Sequence, residues 1–384
     1  MKLRTMASYE EYITNLFIKN NITYSIELKT EKSYEDSIMT YHLPPCEPIC
    51  MEHIVIFTIN PKDKAFIQSL LNQHPDNHNY INYNIVKPKV SYRMLSYNIP
   101  KYPIYIVSYK RYDIKKRLTW NFLEEMQIPY YICVQEQEKI QYEQMVYGFK
   151  YCIAIITSTN TTEGSYIQRN TCLSHSSMQK CWILDDNIQG WYYYNLNQKI
   201  QLNHSIIFNV LENIMDHTNN IGIISHCYYM DVPSTTMRSP IQVNTKNYSS
   251  CLINRDLLLK HNIQFRLKYN EDVDLTIQCL SQQIQTISTN IFLCNKLSTG
   301  SVAGGNTDIY DNKMHLKYQC LEDTWKHLPL GCISKTTTKH KDNRVHHKVN
   351  YRKICKYFNT SYDIAFDDIP KKYTYEDFGI KLIL

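Results

Sequence analysis

The chain has 384 residues, a formal net charge of +6, and 43% hydrophobic against 20% charged residues. That apolar content excludes a globally disordered chain, and no apolar run reaches the roughly 18 residues that a bilayer-crossing helix needs, so no membrane partner is expected. The modest positive charge admits an anionic partner without requiring one. The 13 cysteines are odd in number and scattered, with no CxxC. Cys46 and Cys50 have no matching second pair, so reduced thiols in an intracellular compartment are expected rather than zinc or disulfides. The N-terminus has early basic residues but no clean apolar segment, so it does not read as a secretory leader. The 33 tyrosines beside 9 glycines read as the product of an A/T-rich genome, as in a virus, phage or protist, with the nucleus or a host cytoplasm as the setting.

In chain order, "SYEEYITNLFIKNN" (8–21) has helical apolar spacing behind a serine cap, "HIVIFTIN" (53–60) reads as a strand, and "KAFIQSLLNQH" (64–74) as a short helix. From 101 the pattern sharpens. A strand at Ile104–Val107 precedes a helix at 119–127 with Thr119 as its cap, a strand at 129–135, a helix in "EKIQYEQM", a strand at 151–157, a helix at 165–179 and a strand at 181–186. Alternation of strand and helix predicts a parallel sheet with crossover helices, whose ligand crevice lies at the carboxyl ends of the strands. An amphipathic helix (205–218), a strand (221–229), a strand running into a helix (251–263) and an acidic cap, helix and strand (269–296) follow. "GSVAGGN" (300–306) gathers three of the nine glycines, and the tail from 331 is basic.

Five constellations can carry chemistry, and each has a plainer reading. Asp185, Asp186 and Asn187 end a buried strand: oxygen ligands for Mg2+ or Mn2+ on a diphosphate, or a strand leaving the core through an Asx turn. Arg169, in "YIQRN", has a planar fork suited to phosphate, or is a surface arginine. Glu271, Asp272 and Asp274 open a helix; capping accounts for one or two, and a third offers a general base. Gly304, Gly305 and Asn306 suit close backbone approach to a ligand, or a flexible loop. His346 and His347 sit in the tail, where an imidazole can complete a metal shell, beside cations (Lys335, Lys339, Lys341, Arg344, Lys348) that can track phosphates or simply be solvated. No phosphate-binding Walker loop and no GxGxxG occur, which removes the main support for kinase and dehydrogenase readings.

Taken in order, "PIYIVSYKRY", "T..FLEE", "QRN", "WILDDNI", "NEDVD" and "GGN" resemble the nucleotide-sugar glycosyltransferases of the GT-A fold. Within them they are most similar to the base J glucosyltransferases and the TET-associated DNA glycosyltransferases of phages, fungi and protists, over about residues 101–350. The resemblance implies an α/β, Rossmann-like, mostly parallel sheet flanked by helices. An N-terminal accessory region (1–97), a GT-A-like domain (98–330) and a basic C-terminal extension (331–384) are expected. It implies a UDP-sugar donor, Mn2+ or Mg2+, and DNA as acceptor: transfer of a sugar, glucose first, to a hydroxymethylated pyrimidine. Ser108, Lys110, Arg111, Arg169, Asn170, Asp185, Gly305 and Asn306 would bind the donor. Asp186 and Asn187 would hold the metal, with His346 from the tail. Asp272 would be the base, with Glu271 or Asp274 touching sugar or acceptor. The sequence departs from Asp-x-Asp at Asn187, whose amide ligates more weakly. Transfer to a glycan, protein or lipid, and an inactive adaptor binding DNA or protein, are the alternatives. Oligomeric state is left open.

Overall fold

The computed structural model describes residues 24–29, 54–59, 80–86, 89–94, 99–114, 116–160, 162–195, 198–233, 239–297, 304–305, 314–337 and 345–364. Near the N-terminus β1 (Tyr24–Lys29), β2 (Ile54–Ile59), β3 (Tyr80–Val86) and β4 (Lys89–Met94) pair antiparallel in the order β1-β2-β4-β3. The strand expected at 53–60 is β2. The helices expected at 8–21 and 64–74 lie outside the described residues.

The rest is organised by a ten-stranded sheet. β5 (Ile104–Val107), β6 (Tyr130–Gln135), β7 (Cys152–Ser158) and β8 (Lys180–Asp185) pair in parallel in the order β8-β5-β6-β7. The crossovers carry α1 (Thr119–Glu125), α2 (Lys139–Met145) and α3 (Tyr166–His175). β9 (Ile188–Asn195) and β10 (Gln198–Gln201) form a hairpin, and α4 (Ile206–Asp216), β11 (Ile221–Tyr228), β12 (Ile241–Val243) and β13 (Ser250–Asn254) follow. Then come α5 (Arg255–Lys260), α6 (Glu271–Ser281) and β14 (Gln285–Lys296). The sheet continues past β8 as β13-β11-β14-β9-β10, with β12 beside β14. Only β9, β12 and β13 run against the others, so the sheet is mostly parallel.

Strand alternation divides the core between two faces. Ile104, Ile106, Trp182 and Leu184 point to the face covered by α1 and α4, with Phe122, Leu123, Ile207, Phe208 and Leu211. Tyr105, Val107, Cys181 and Ile183 point to the opposite face, covered by α3, α5 and α6 through Cys172, Leu173, Leu258, Leu275 and Cys279. The outer side of α6 (Val273, Ile277, Leu280) is covered in turn by the C-terminal elements: α7 (Met314–Thr324), β15 (Ile333–Thr337), β16 (Val345–Val349) and α8 (Tyr351–Phe358), through Leu321, Trp325, Ile354 and Cys355. Each such side chain contributes roughly 1.5–3 kcal/mol by leaving water, so this part of the tail is packed structure. Among the described residues no helix is long and apolar enough to cross a membrane.

Three local expectations are corrected. The cap of α1 is Leu118, not Thr119. The Thr119 hydroxyl instead spans to the β8–β9 turn, donating to the Asp185 carbonyl at 2.6 Å and accepting from the Ile188 amide at 3.0 Å. α3 stops at His175, short of 179. The plainer reading of Asp185–Asn187, a strand leaving the core through an Asx turn, is not met either: the chain turns at Asp186 and Asn187 and re-enters the sheet as β9.

Candidate active site

β5 and β8 are parallel neighbours in the register Val107↔Asp185, so Ser108 and Asp186 emerge side by side at the carboxyl edge of the sheet. Alternation then gives the two aspartates different surroundings. Asp185 continues the face of Cys181 and Ile183 and meets α3: Arg169 Nη2 donates to its Oδ1 at 2.6 Å. Ser249 Oγ and Lys296 Nζ donate to its Oδ2 at 2.7 and 3.3 Å. Burial pushes this carboxyl up, but Lys296 and Arg169 outweigh it and hold Asp185 well below the usual carboxylate range. Lys296 is held above its ordinary value by Tyr228 and Asp185 against its burial.

Asp186 turns to the loop after β5. Ser108 Oγ donates to its Oδ2 at 2.7 Å and Arg111 Nη1 lies 3.2 Å from its Oδ1. Burial pushes Asp186 up to about 6, opposed by Arg111 and Ser108 and reinforced by Asp185. A relay supports Ser108: the Arg111 amide donates to Tyr142 Oη at 3.0 Å, which leaves that phenol to donate to Ser108 Oγ at 2.6 Å. Gln168 Nε2 fixes the Ser108 carbonyl at 2.7 Å, and Glu138 accepts from the Lys110 amide at 3.0 Å. The glycine pair closes the loop. Gly305 N–H donates to the Tyr109 carbonyl at 2.7 Å. With φ of +80° and +61°, Gly304 lies against the Lys110 carbonyl and Gly305 against the Arg111 guanidinium, where a Cβ would stand 2.6 Å from Nη2.

The N-terminus of α6 faces the same crevice from across α3. Arg169 Nε and Ser165 Oγ donate to Glu271 Oε1 at 3.2 and 2.7 Å, so Arg169 bridges β8 to α6. Asp272 accepts from the Val273 amide at 2.8 Å. Burial, then the charge of Glu271, push its carboxyl up to about 7 against Arg169. A carboxyl at that value can exchange a proton near neutral pH.

The structure thus brings together Ser108, Arg111, Arg169, Asp185, Asp186, Asn187, Glu271, Asp272 and Gly305, with the Lys110 backbone at the rim. Two expected residues are engaged elsewhere. The Asn170 amide pins the backbone of Phe265 on both sides, at 2.7 and 3.1 Å. Asp274 is buried on the outer side of α6, accepting from Arg266 (2.9 and 3.1 Å), Gln278 (2.7 Å) and the Trp325 indole (2.8 Å); it ties the C-terminal elements to α6. His346 lies in β16 opposite Thr336. Asn306 lies outside the described residues. Sequence reading missed Lys296, Ser249, Tyr142, Glu138 and Gln168. Lys296 carried a signal, as a charge ending the apolar run "IFLCNK"; among 33 tyrosines, Tyr142 carried none.

For a divalent cation the donor set is spare. Among the described residues no three His, Cys, Asp or Glu side chains converge to hold one. Asn187 Oδ1 is buried and unpartnered while its Nδ2 donates to the Leu297 carbonyl at 3.2 Å. Asp186 keeps acceptor capacity beyond Ser108 and Arg111. Four carboxylates (Asp185, Asp186, Glu271, Asp272) share three cations (Arg111, Arg169, Lys296), and Asp186 and Asp272 are the two held above the ordinary carboxylate range, whose ionised forms a further cation would favour. One carboxylate and one amide oxygen fit a hard cation that takes its remaining ligands from phosphate and water.

The chain matches the family model of the TET-associated glycosyltransferases over residues 102–305, more than half its length and the whole of the crevice just described. No curated protein sequence matches it. Among solved structures it is similar to the mannosyltransferase PcManGT from Pyrobaculum calidifontis, in complex with GDP-Man and Mn2+, at 10% identity and a TM-score of 0.40, over 69% of this chain and 72% of that one. It is similar also to GalNAc-T7 with UDP, GalNAc and Mn2+, at 9% identity and a TM-score of 0.34, over 62% of this chain and 53% of that one. The chain thus spans about half of the second.

Proposed function

The chain belongs to the TET-associated glycosyltransferase family, and from that premise we propose that it is a metal-dependent enzyme of GT-A arrangement, moving a sugar, glucose first, from a UDP-sugar to the hydroxyl of a hydroxymethylated pyrimidine in DNA. The observation that carries the reading is the convergence of Asp185, Asp186, Asn187, Arg169 and Asp272 on one crevice at the carboxyl edge of β5 and β8. Ser108 and Arg111 would meet the uridine and Asp185 the ribose or sugar. Arg169 would hold Asp185 and face the donor, and Asp186 with Asn187 would hold Mn2+ or Mg2+. Held there, a divalent cation would supply positive charge against the negative charge that grows on departing UDP. Asp272 would take the proton of the acceptor hydroxyl while its oxygen bonds to the anomeric carbon and the bond from that carbon to the diphosphate breaks; a single base with in-line attack inverts the centre. Glu271, tied to Arg169, would keep the base partly protonated until the acceptor arrives. The base being modified must leave the stack to reach the crevice, and the cations of the tail would hold the backbone. Lys110 and Gly305 would line the donor pocket.

The test is donor hydrolysis and transfer with a panel of UDP-sugars and Mn2+, using oligonucleotides that carry 5-hydroxymethyluracil or 5-hydroxymethylcytosine. Transfer that disappears in Asp186→Ala is expected. Hydrolysis without transfer to DNA would move the acceptor to a glycan, protein or lipid. Silence with every donor would leave an inactive adaptor.

A further inference from the structure

The two oxygens of the Asp186 carboxylate are differently engaged. Oδ2 accepts from Ser108 Oγ at 2.7 Å, and Oδ1 faces the Arg111 guanidinium, with Nη1 at 3.2 Å. The oxygen that a cation would take is therefore the one that Arg111 stands against. Arg111 is 7% exposed, and it does not use its donors fully there. Its Nε and Nη1 are buried with no hydrogen-bond partner among the described residues, so the contact with Asp186 is one of charge alone. Buried donors left unused are costly, and they call for a partner that completes them. The backbone of Arg111 is fixed, its amide donating to Tyr142 Oη at 3.0 Å. Its head is less constrained, because the neighbour on its other side is Gly305: a Cβ there would stand 2.6 Å from Nη2 and 3.3 Å from Nε and Cζ. Lys110, the residue before Arg111, holds a φ of +51°, a conformation that a non-glycine residue keeps only under constraint.

We propose that Arg111 is a placeholder for the cation: its guanidinium stands against Asp186 Oδ1 until the phosphates of the uridine nucleotide draw it away, and Asp186 then gives that oxygen to a divalent cation. This rests on the reading of the chain as a metal-dependent nucleotide-sugar transferase. The argument is competition for one oxygen. A guanidinium and a divalent cation on the same carboxylate oxygen repel each other, so Arg111 weakens the binding of a cation that arrives alone. Phosphate oxygens suit the planar guanidinium and accept from the donors that Asp186 leaves unused. Nucleotide and cation then raise each other's affinity by one common factor, and Arg111 carries a share of it. Arg111 is thus a positioning residue that makes the crevice take cation and nucleotide together, with the bare side of Gly305 giving its head room to turn.

The experiment measures the Kd of Mn2+, from the electron paramagnetic resonance signal of the free ion, for full-length wild type, Arg111→Met and Arg111→Lys, each with and without saturating UDP. Thermal melts show that each protein is folded. Mn2+ alone is expected to bind Arg111→Met about tenfold more tightly than wild type, while with UDP the two differ by roughly threefold at most, so the factor by which UDP raises Mn2+ affinity shrinks. Arg111→Lys, which keeps the charge without the fork, is expected to lower that factor by a smaller step, and it carries the test if Arg111→Met does not fold. A fixed background charge would shift the Mn2+ Kd equally with and without UDP, and a residue that only props Asp186 would weaken Mn2+ in both. Either result leaves the factor unchanged and would overturn the proposal. Wild type that binds neither Mn2+ nor UDP would overturn the donor reading and the placeholder with it, and is told apart because it appears before any substitution.

Discussion

Asp272 is uncomfortable by construction: burial and the Glu271 charge push its carboxyl up to about 7, far above its ordinary value. Ionising it in the folded chain therefore costs stability, and that stability, complete in acid, is lost as pH rises through about 7. The rate has the opposite sign, since a base must be deprotonated. We predict a kcat/KM that rises with unit slope to about pH 7 and then levels, and a loss of about 10²–10⁴-fold in Asp272→Asn whose melting temperature at pH 8 is no lower than wild type. Arg169 is the counter-case. Alone in the sequence it reads as a surface arginine; in the fold it is buried and holds both Asp185 and Glu271. Arg169→Met leaves Glu271 a buried charge without its cation, so denaturant titration should show a loss of about 3 kcal/mol or more. No property of "QRN" by itself signals this, because burial is decided by where α3 docks. Asp185 and Asp186 were legible as a pair that needs cations; that each has its own came only from the alternation of β8.

The elements from 101 to 296 were largely legible, because apolar runs and helical spacing there agree with the sheet they build. Departures came where a polar group found a distant partner. The Thr119 hydroxyl serves the β8–β9 turn instead of its own helix, and β14 runs on to Lys296, pairing in parallel with β11 and antiparallel with β9, which no local pattern foretells. The glycine cluster was legible as backbone chemistry, and the structure gives its reason. Gly304→Ala would drive a Cβ into the Lys110 carbonyl at a φ of +80°, so the loops after β5 and β14 must part. We predict at least a tenfold loss of transfer with Arg111 freed from its seat. Gly148→Ala, at φ +92° with nothing within 4 Å of its Cβ, should cost only about 1 kcal/mol of stability and leave transfer untouched.

At the scale of the whole molecule, a net charge of +6 says little until it is located. β15, β16 and α8 carry Lys335, Lys348, Arg352, Lys353 and Lys356 with no acidic residue between 333 and 358 among those described, and they pack against the α6 helix that bears Asp272. If they track phosphates, binding of a duplex should weaken steeply with salt, and Arg352→Glu with Lys356→Glu should lower the log–log slope by about 0.9 for each contact removed. An unchanged slope would return these cations to the solvent. The central claim is that the edge of β5 and β8 binds a nucleotide-sugar through Asp186 and Asn187 with a divalent cation. Calorimetric titration of UDP-glucose into wild type and Asn187→Ala, with Mn2+ and with EDTA, tests it most directly. The account predicts binding in Mn2+ that is lost in EDTA and weakened tenfold or more in Asn187→Ala. Equal affinity in all four titrations would contradict it.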